Sequence, residues 1–364
     1  MLKIVHAADF HLDSAFGGLP VEKSRERRRE SRELLDRLAD LVLAEKAELV
    51  LLSGDLFDGE RVYPETLERL KAALERMGCP VFIAPGNHDP YTLHSPYVRQ
   101  TWPENVCIFR EGGMSAVTLP ELECVVHGAA FTDRSRTDPV LAGRTVPEDR
   151  MIHIFCLHGD VMNPASGYGP VTREQIGRCK ANYVALGHIH QCSGLQREGD
   201  TYWAYPGCLE GRGFDELGDK GVLVGTVGPG ATSMRFVPLC RRRYWILEAD
   251  VTDVSPREAL EKVMPDTAGE DVCRAVFTGE VGGTGLDLAM IESMFQDRFY
   301  YLELRDRTRP ARSLWEKAGE NSLRGMFLQE MKQKYDAAPD EETREQVVLA
   351  VRFGLAALEG RDLE

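Results

Sequence analysis

Short apolar runs rich in β-branched residues alternate with amphipathic stretches through the first two-thirds of the chain. Leu2–Ala8, Glu48–Leu52, Val81–Ala84, Ile152–Leu157 and Tyr183–Leu186 each read as a buried strand, and each runs into a polar cluster. Between the first two, Leu34, Leu38, Leu41 and Val42 recur at the three-and-four spacing of a helix with a charged outer face. A second helix is expected from Pro64, a favourable first-turn residue, through Leu67, Leu70, Leu74 and Met77 to a stop at Gly78. Strand and helix in alternation predict an α/β fold.

Around Cys240 the texture changes. Tyr244–Asp250 reads as a strand, Pro256–Met264 as a short helix, Val272–Phe277 as a strand, Leu286–Phe295 as a helix and Phe299–Leu304 as extended chain. From Pro310 onward the pattern reads as helix, and Val347, Val348, Val351, Leu355 and Leu358 make an apolar stripe. Three regions are therefore expected: a large domain over 1–240, a small α+β module over 241–306 and a helical segment over 307–364.

Composition narrows the setting. Hydrophobic residues make up 43% and charged residues 28%, as in ordinary globular proteins. No apolar run approaches the roughly 18 residues of a membrane-spanning helix, and the first strand meets Asp9 too early for a signal peptide. Nine cysteines without a Cys-x-x-Cys pair read as free thiols in a reducing cytoplasm. The net charge of −14 argues against a polyanion partner unless bound cations and a local basic stripe offset it.

The chemistry gathers where the strands end. The clusters are Asp9-Phe-His11, Gly54-Asp55-Leu-Phe-Asp58, Gly86-Asn87-His88-Asp89, Leu157-His158-Gly-Asp160 and Gly187-His188-Ile-His190. Ligands of open α/β sheets collect at such strand ends. Carboxylate, imidazole and amide oxygen without thiolate suit divalent cations and hydrolysis. One carboxylate can bridge two cations about 3.5–4 Å apart, which clamps an in-line displacement and acidifies a water. Phosphate esters are the natural substrate for such a pair.

In this order the five blocks resemble the calcineurin-like metallophosphoesterase superfamily, with its two-sheet sandwich and outer helices. The resemblance implies one metal on Asp9, His11, Asp55 and His190, and another on Asp55, Asn87, His158 and His188, with Asp55 bridging. It makes His88 the group that steadies the transition state or protonates the leaving oxygen, with Asp58 orienting it. Ile4–Ser14, Tyr183–Gln191 and Tyr205–Glu216 resemble the SbcD/YhaO branch, relatives of the nuclease subunit of double-strand-break repair complexes. That branch implies a capping domain after the nuclease domain and C-terminal helices that dock an SMC-like, SbcC-type ATPase. It further implies a homodimer, DNA as substrate, and two divalent ions, manganese first, with iron, zinc or magnesium as alternatives. Two positions depart from the branch: Gly159-Asp160 follows the fourth-block histidine, and Cys208 stands where serine is common.

Other residues have plainer readings. His6 and His153 alternate inside strands and are expected in the core or at an edge, whereas His94 and His127 are expected in surface loops. Asp89 and Asp160 either orient imidazoles or cap turns, and Asp13 shapes the first loop. The stretch Lys23–Arg32 is either a solvated helix face or a track for DNA phosphates through Arg25, Arg28 and Arg29; Arg241 and Arg242 pose the same alternative. The expected activity is a DNA nuclease. Its alternatives are a phosphatase or small-molecule phosphodiesterase, and a partner-binding scaffold with weak catalysis.

Overall fold

The computed structural model describes residues 1–282, 285–311, 315 and 317–359. The chain divides into two compact units, Met1–Arg243 and Tyr244–Glu364.

The first unit is a sandwich of two six-stranded sheets. One runs in the order Ala231–Pro238, Gly221–Gly228, Leu2–Ala7, Leu49–Leu52, Val81–Ile83, Val106–Ile108. The other runs Ser115–Leu119, Cys124–Gly128, Ile152–His158, Tyr183–Gly187, Thr201–Ala204, Gln196–Glu198. Side chains alternate across each strand, and the core divides accordingly. Leu2, Ile4, Leu49, Leu51 and Phe82 meet Val126, Ile154, Cys156, Tyr183 and Ala185 between the sheets. Val5, Ala7, Val50 and Leu52 face the other way, onto Leu34, Leu35, Leu38, Leu70 and Leu74 of the helices Val21–Glu45 and Pro64–Arg76. Behind the second sheet Phe155, Leu157, Val184 and Leu186 pack on Ile176 of the helix Arg173–Cys179.

All five expected strands form, within a residue or two at each end. The parallel order Leu2–Ala7, Leu49–Leu52, Val81–Ile83 and the parallel pair Ile152–His158, Tyr183–Gly187 bring their C-terminal ends together. His127 lies inside the strand Cys124–Gly128 rather than in a loop, and its Nε2 stands 3.0 Å from Nδ1 of the buried His153. His6 follows Leu2 and Ile4 onto the inner face and is fully buried.

In the second unit the strands Tyr244–Asp250, Val272–Thr278 and Tyr301–Asp306 are all parallel. The helices Pro256–Val263 and Leu288–Phe295 are their crossovers, and both contribute to one core with Leu247, Ala249, Ala275 and Phe277. The expected all-helical tail is corrected at its start, because Arg309–Pro310 is extended and pairs with Glu280–Val281. Helices follow over Leu323–Asp336 and Glu341–Glu359, and Val351 and Leu355 of the expected stripe bury against Leu328, whereas Leu358 is exposed. Residues 312–314, 316 and 360–364 lie outside the described residues. No helix among the described residues is long and apolar enough to cross a membrane.

Candidate metal centre

The strand ends deliver their polar clusters to one place, and tight backbone does the delivering. Asp9, His11, Asp55 and His188 all hold positive φ, at 54°, 44°, 52° and 110°, a region that side chains other than glycine enter at a cost. Asp89 holds the second and third clusters together. Its buried carboxylate accepts from the amides of Asp55, Leu56, Phe57 and Gly86 and from the Tyr97 hydroxyl. Of its two sequence readings the loop-capping one is therefore observed. At Gly86 a Cβ would stand 2.2 Å from Asp55 Oδ1, so only glycine lets these two loops close.

The nine residues singled out as ligands or catalytic groups converge. Donor atoms of Asp9, His11 and His190 lie within 4.8 Å of one another, as do those of Asp9, Asp55 and His158, and those of His11, Asp58 and His88. His11 Nε2 is 3.2 Å from His190 Nε2 and 3.8 Å from Asp55 Oδ2. His158 Nε2 is 3.0 Å from Asn87 Oδ1 and 3.4 Å from Asp55 Oδ2. The His188 ring is 5.3 Å from the His158 ring, and its backbone amide donates to Asp9 at 3.1 Å. Asp55 thus stands between the His11 side and the His158 side.

Three imidazoles are anchored through Nδ1, which leaves Nε2 for a ligand. His158 Nδ1 donates to the Ser53 carbonyl at 2.8 Å. His11 Nδ1 lies 3.1 Å from Asp58 Oδ1, and His190 Nδ1 lies 2.7 Å from Glu216 Oε1. Such outer contacts are how proteins orient metal-binding imidazoles. His88 differs: its side chain is 46% exposed, with Nδ1 3.5 Å from Asp58 Oδ1.

The electrostatics fit divalent cations. Burial, reinforced by the neighbouring Asp55, pushes Asp9 up to about 6. Burial would lower His158, but Asp55 and Asp9 overcome it and push it up to about 9. A pocket that draws a proton onto a buried imidazole is short of positive charge. Burial lowers His11 and His188 to about 4, so both are neutral near pH 7, the form in which histidine ligates. The Asp58 carboxylate beside His88 raises its imidazole above the ordinary value.

Residues 2–192 match the family model for calcineurin-like phosphoesterases. The chain belongs to the calcineurin-like phosphoesterase family. The family uses divalent metals, and the cluster of Asp and His donors in this phosphoesterase lies within the matched residues. Among its relatives is the uncharacterized metallophosphoesterase YhaO of Bacillus subtilis, 31% identical over 306 residues, covering 76% of this chain and 72% of the relative. The DNA double-strand break repair protein Mre11 of Aeropyrum pernix is 25% identical over 278 residues, covering 70% of this chain and 64% of the relative. The SbcD component of the SbcCD nuclease of Rhodobacter capsulatus is 34% identical over 94 residues, or 24% of this chain and 22% of the relative.

Elsewhere in this phosphoesterase the basic candidates separate. Arg25 and Arg29 are exposed on the helix Val21–Glu45, and Arg28 donates to the Ala15 carbonyl at 3.2 Å. Arg241 is partly exposed, whereas Arg242 is buried and donates twice to Glu30, at 2.9 and 2.6 Å. Arg242 as a DNA contact is therefore corrected, because a guanidinium committed to a buried carboxylate is not open to a phosphate. Asp160 caps the next turn through the amides of Met162 and Asn163, with Oδ2 3.9 Å from His188 Nε2. The glycine before it has a packing reason, since a Cβ on Gly159 would meet the Gly169 carbonyl at 2.4 Å. Asp13 accepts from the Tyr63 amide and the Thr66 hydroxyl at the start of the second helix, and Cys208 is buried with Sγ 3.6 Å from the His190 carbonyl. The sequence reading assigned no role to Arg212 or Glu216. Their only signal was membership of the Tyr205–Glu216 segment, yet both reach the cluster.

Proposed function

We propose that the chain is a DNA nuclease that hydrolyses phosphodiesters with two divalent cations, manganese as the working ion, in the cytoplasm beside an SMC-like ATPase. The observation that carries this reading is the position of His88, a half-exposed imidazole paired to Asp58 at the edge of a buried oxygen and nitrogen donor cluster. The preference for DNA rests on the Mre11 and SbcCD relatives, the first matching over 70% of this chain, more than residues 2–192 account for.

In this reading Asp9, His11, Asp55 and His190 hold one cation, and Asp55, Asn87, His158 and His188 hold the other. The cations would supply Lewis acidity toward the phosphoryl oxygens and acidify a water for attack. Asp58 fixes His11 and His88 together, since one oxygen of its carboxylate lies near Nδ1 of both rings. With Nδ1 turned to Asp58, His88 has Nε2 to give a proton to the departing 3′ oxygen. The exposed Arg25 and Arg29 are the basic groups offered to the DNA backbone, and the helices Leu323–Asp336 and Glu341–Glu359 are offered to the ATPase.

Replacing His88 by Asn tests the assignment. Cleavage of a labelled linear duplex by Mn-loaded protein should fall by about 10²–10⁴-fold, the usual worth of a general acid, with metal content by elemental analysis unchanged. If metal and activity fall together, His88 is not the proton donor. The net charge of −14 favours a small phosphoester as substrate. Wild-type protein that cleaves a bis-aryl phosphodiester and leaves the duplex intact would decide for that alternative.

A further inference from the structure

The two halves of the donor cluster are backed differently. On one side, both imidazoles rest their Nδ1 atoms on carboxylates: His11 on Asp58 and His190 on Glu216. On the other, His158 rests on the neutral carbonyl of Ser53, and the carboxylate nearest the His188 ring, that of Asp160, stands 3.9 Å from its Nε2, beyond hydrogen-bond reach. A carboxylate behind an imidazole makes Nε2 a stronger donor than a carbonyl does.

Glu216 is built for this task. Its side chain is 4% exposed. Oε1 takes His190 Nδ1 at 2.7 Å and Arg212 Nη2 at 2.9 Å, while Oε2 accepts the Arg212 backbone amide at 2.7 Å. Its own amide donates to the Gly213 carbonyl at 3.1 Å, closing a short loop. Arg212 Nη1 also lies 3.6 Å from Asp58 Oδ1. One guanidinium therefore ties together the carboxylate that orients His190 and the carboxylate that orients His11 and His88.

We propose that Glu216 is a positioning residue, steadied by Arg212, that fixes His190 with Nε2 presented and makes the Asp9/His11/Asp55/His190 pocket the tighter of two unequal cation sites. This rests on the reading of the cluster as a two-cation centre. Loss of Glu216 should then weaken one cation and spare the other. A residue that merely supports the fold would weaken both or neither.

Calorimetric titration of metal-free full-length protein with Mn²⁺ tests it. Wild type should take up two ions with separable affinities. Glu216→Gln keeps an acceptor but loses the charge, and it should weaken the tighter ion by about 10–100-fold, the usual effect of removing such a partner. The weaker ion should be unaffected. Electron paramagnetic resonance at sub-saturating Mn²⁺ should then change from one well-populated site to a mixture of two. Because a buried Gln can disturb folding, Arg212→Met is titrated in parallel. It leaves the Glu216–His190 bond in place and should weaken the same ion by a smaller factor. Wild-type affinities in both variants, or equal loss of both ions, overturn the proposal. Wild type that binds no Mn²⁺ overturns instead the reading of the site on which it rests.

Discussion

Two fully buried histidines show how much an imidazole depends on what faces it. His158 meets Asp55 and Asp9 and is pushed up to about 9, whereas His6 meets the Tyr183 hydroxyl at 2.9 Å and the Ser53 hydroxyl at 3.1 Å. Burial pushes His6 down to about 3. In the unfolded chain His6 titrates near its ordinary 6.5, so at pH 5 the unfolded state binds a proton that the folded state refuses. Stability is complete above pH 6.5 and falls as pH drops from 6.5 toward 3, with this one residue contributing up to about 1.4 kcal/mol per pH unit. Urea unfolding at pH 7 and pH 5 should show that loss, and His6→Gln should reduce it. Equal pH dependence in both proteins would mean His6 is not the group. Its strand position identified His6 as a core residue, since it shares a face with Leu2 and Ile4. His158 stands at a strand end before Gly159-Asp160, which marked it out in the sequence, but the carboxylates that raise it, Asp55 and Asp9, come from other strands.

At the scale of elements, the helix Val21–Glu45 looks in sequence like a solvated or phosphate-facing surface, with arginines and glutamates interleaved. Two of those charges are in fact internal. Arg27 and Glu30 are buried, Arg27 pairs with Glu30 and Glu210, and Glu30 takes Arg242 from the far end of the same unit. Removing one partner of a buried ion pair strands the other charge, at a cost of about 3–5 kcal/mol. Arg242→Ala leaves Glu30 its pairs with Arg27 and Arg241, so it should lower the unfolding free energy by only part of that amount, about 1.5–3 kcal/mol, the worth of hydrogen bonds to a charged group. Arg25→Ala and Arg29→Ala, at exposed positions, should shift it by less than about 0.5 kcal/mol. If the nuclease reading holds, those two surface changes should instead weaken duplex binding and each reduce the salt slope by about 1. Chemical denaturation and salt-dependent binding separate the two outcomes. Helical periodicity located this element, but the partners that neutralise its inner face lie some 180 and 212 residues away and were hidden from any local pattern.

For the whole molecule, an acidic chain brings Asp9, Asp55 and Asp58 together with four of the site histidines at one centre, buried at Asp9, Asp55, His11 and His158. Cations that bind there stabilise the folded state by RT ln(1 + [L]/Kd), about 4 kcal/mol for a site at a thousand times its Kd. Melting followed by calorimetry should move upward by several degrees in excess Mn²⁺ and return with EDTA. A midpoint indifferent to both would show that no cation is held by the folded protein. Family membership is secured by the match over residues 2–192, and two relatives carry names for double-strand break repair and for a nuclease.

Sequence alone determined the strand-and-helix alternation of the first unit, the placement of polar clusters at strand ends and the donor types, because each depends on periodicity and on the identity of neighbouring residues. It also located the three strands and two crossover helices of the second unit. Tertiary structure decided what depends on distance through space. It placed Asp55 between His11 and His158, committed Arg242 to Glu30, moved His127 into a strand and set Glu216 behind His190. A carboxylate has the same one-letter signature whether it caps a turn, neutralises an arginine or aims an imidazole. Which of these it does is settled by the atom that folding sets within about 3 Å of it.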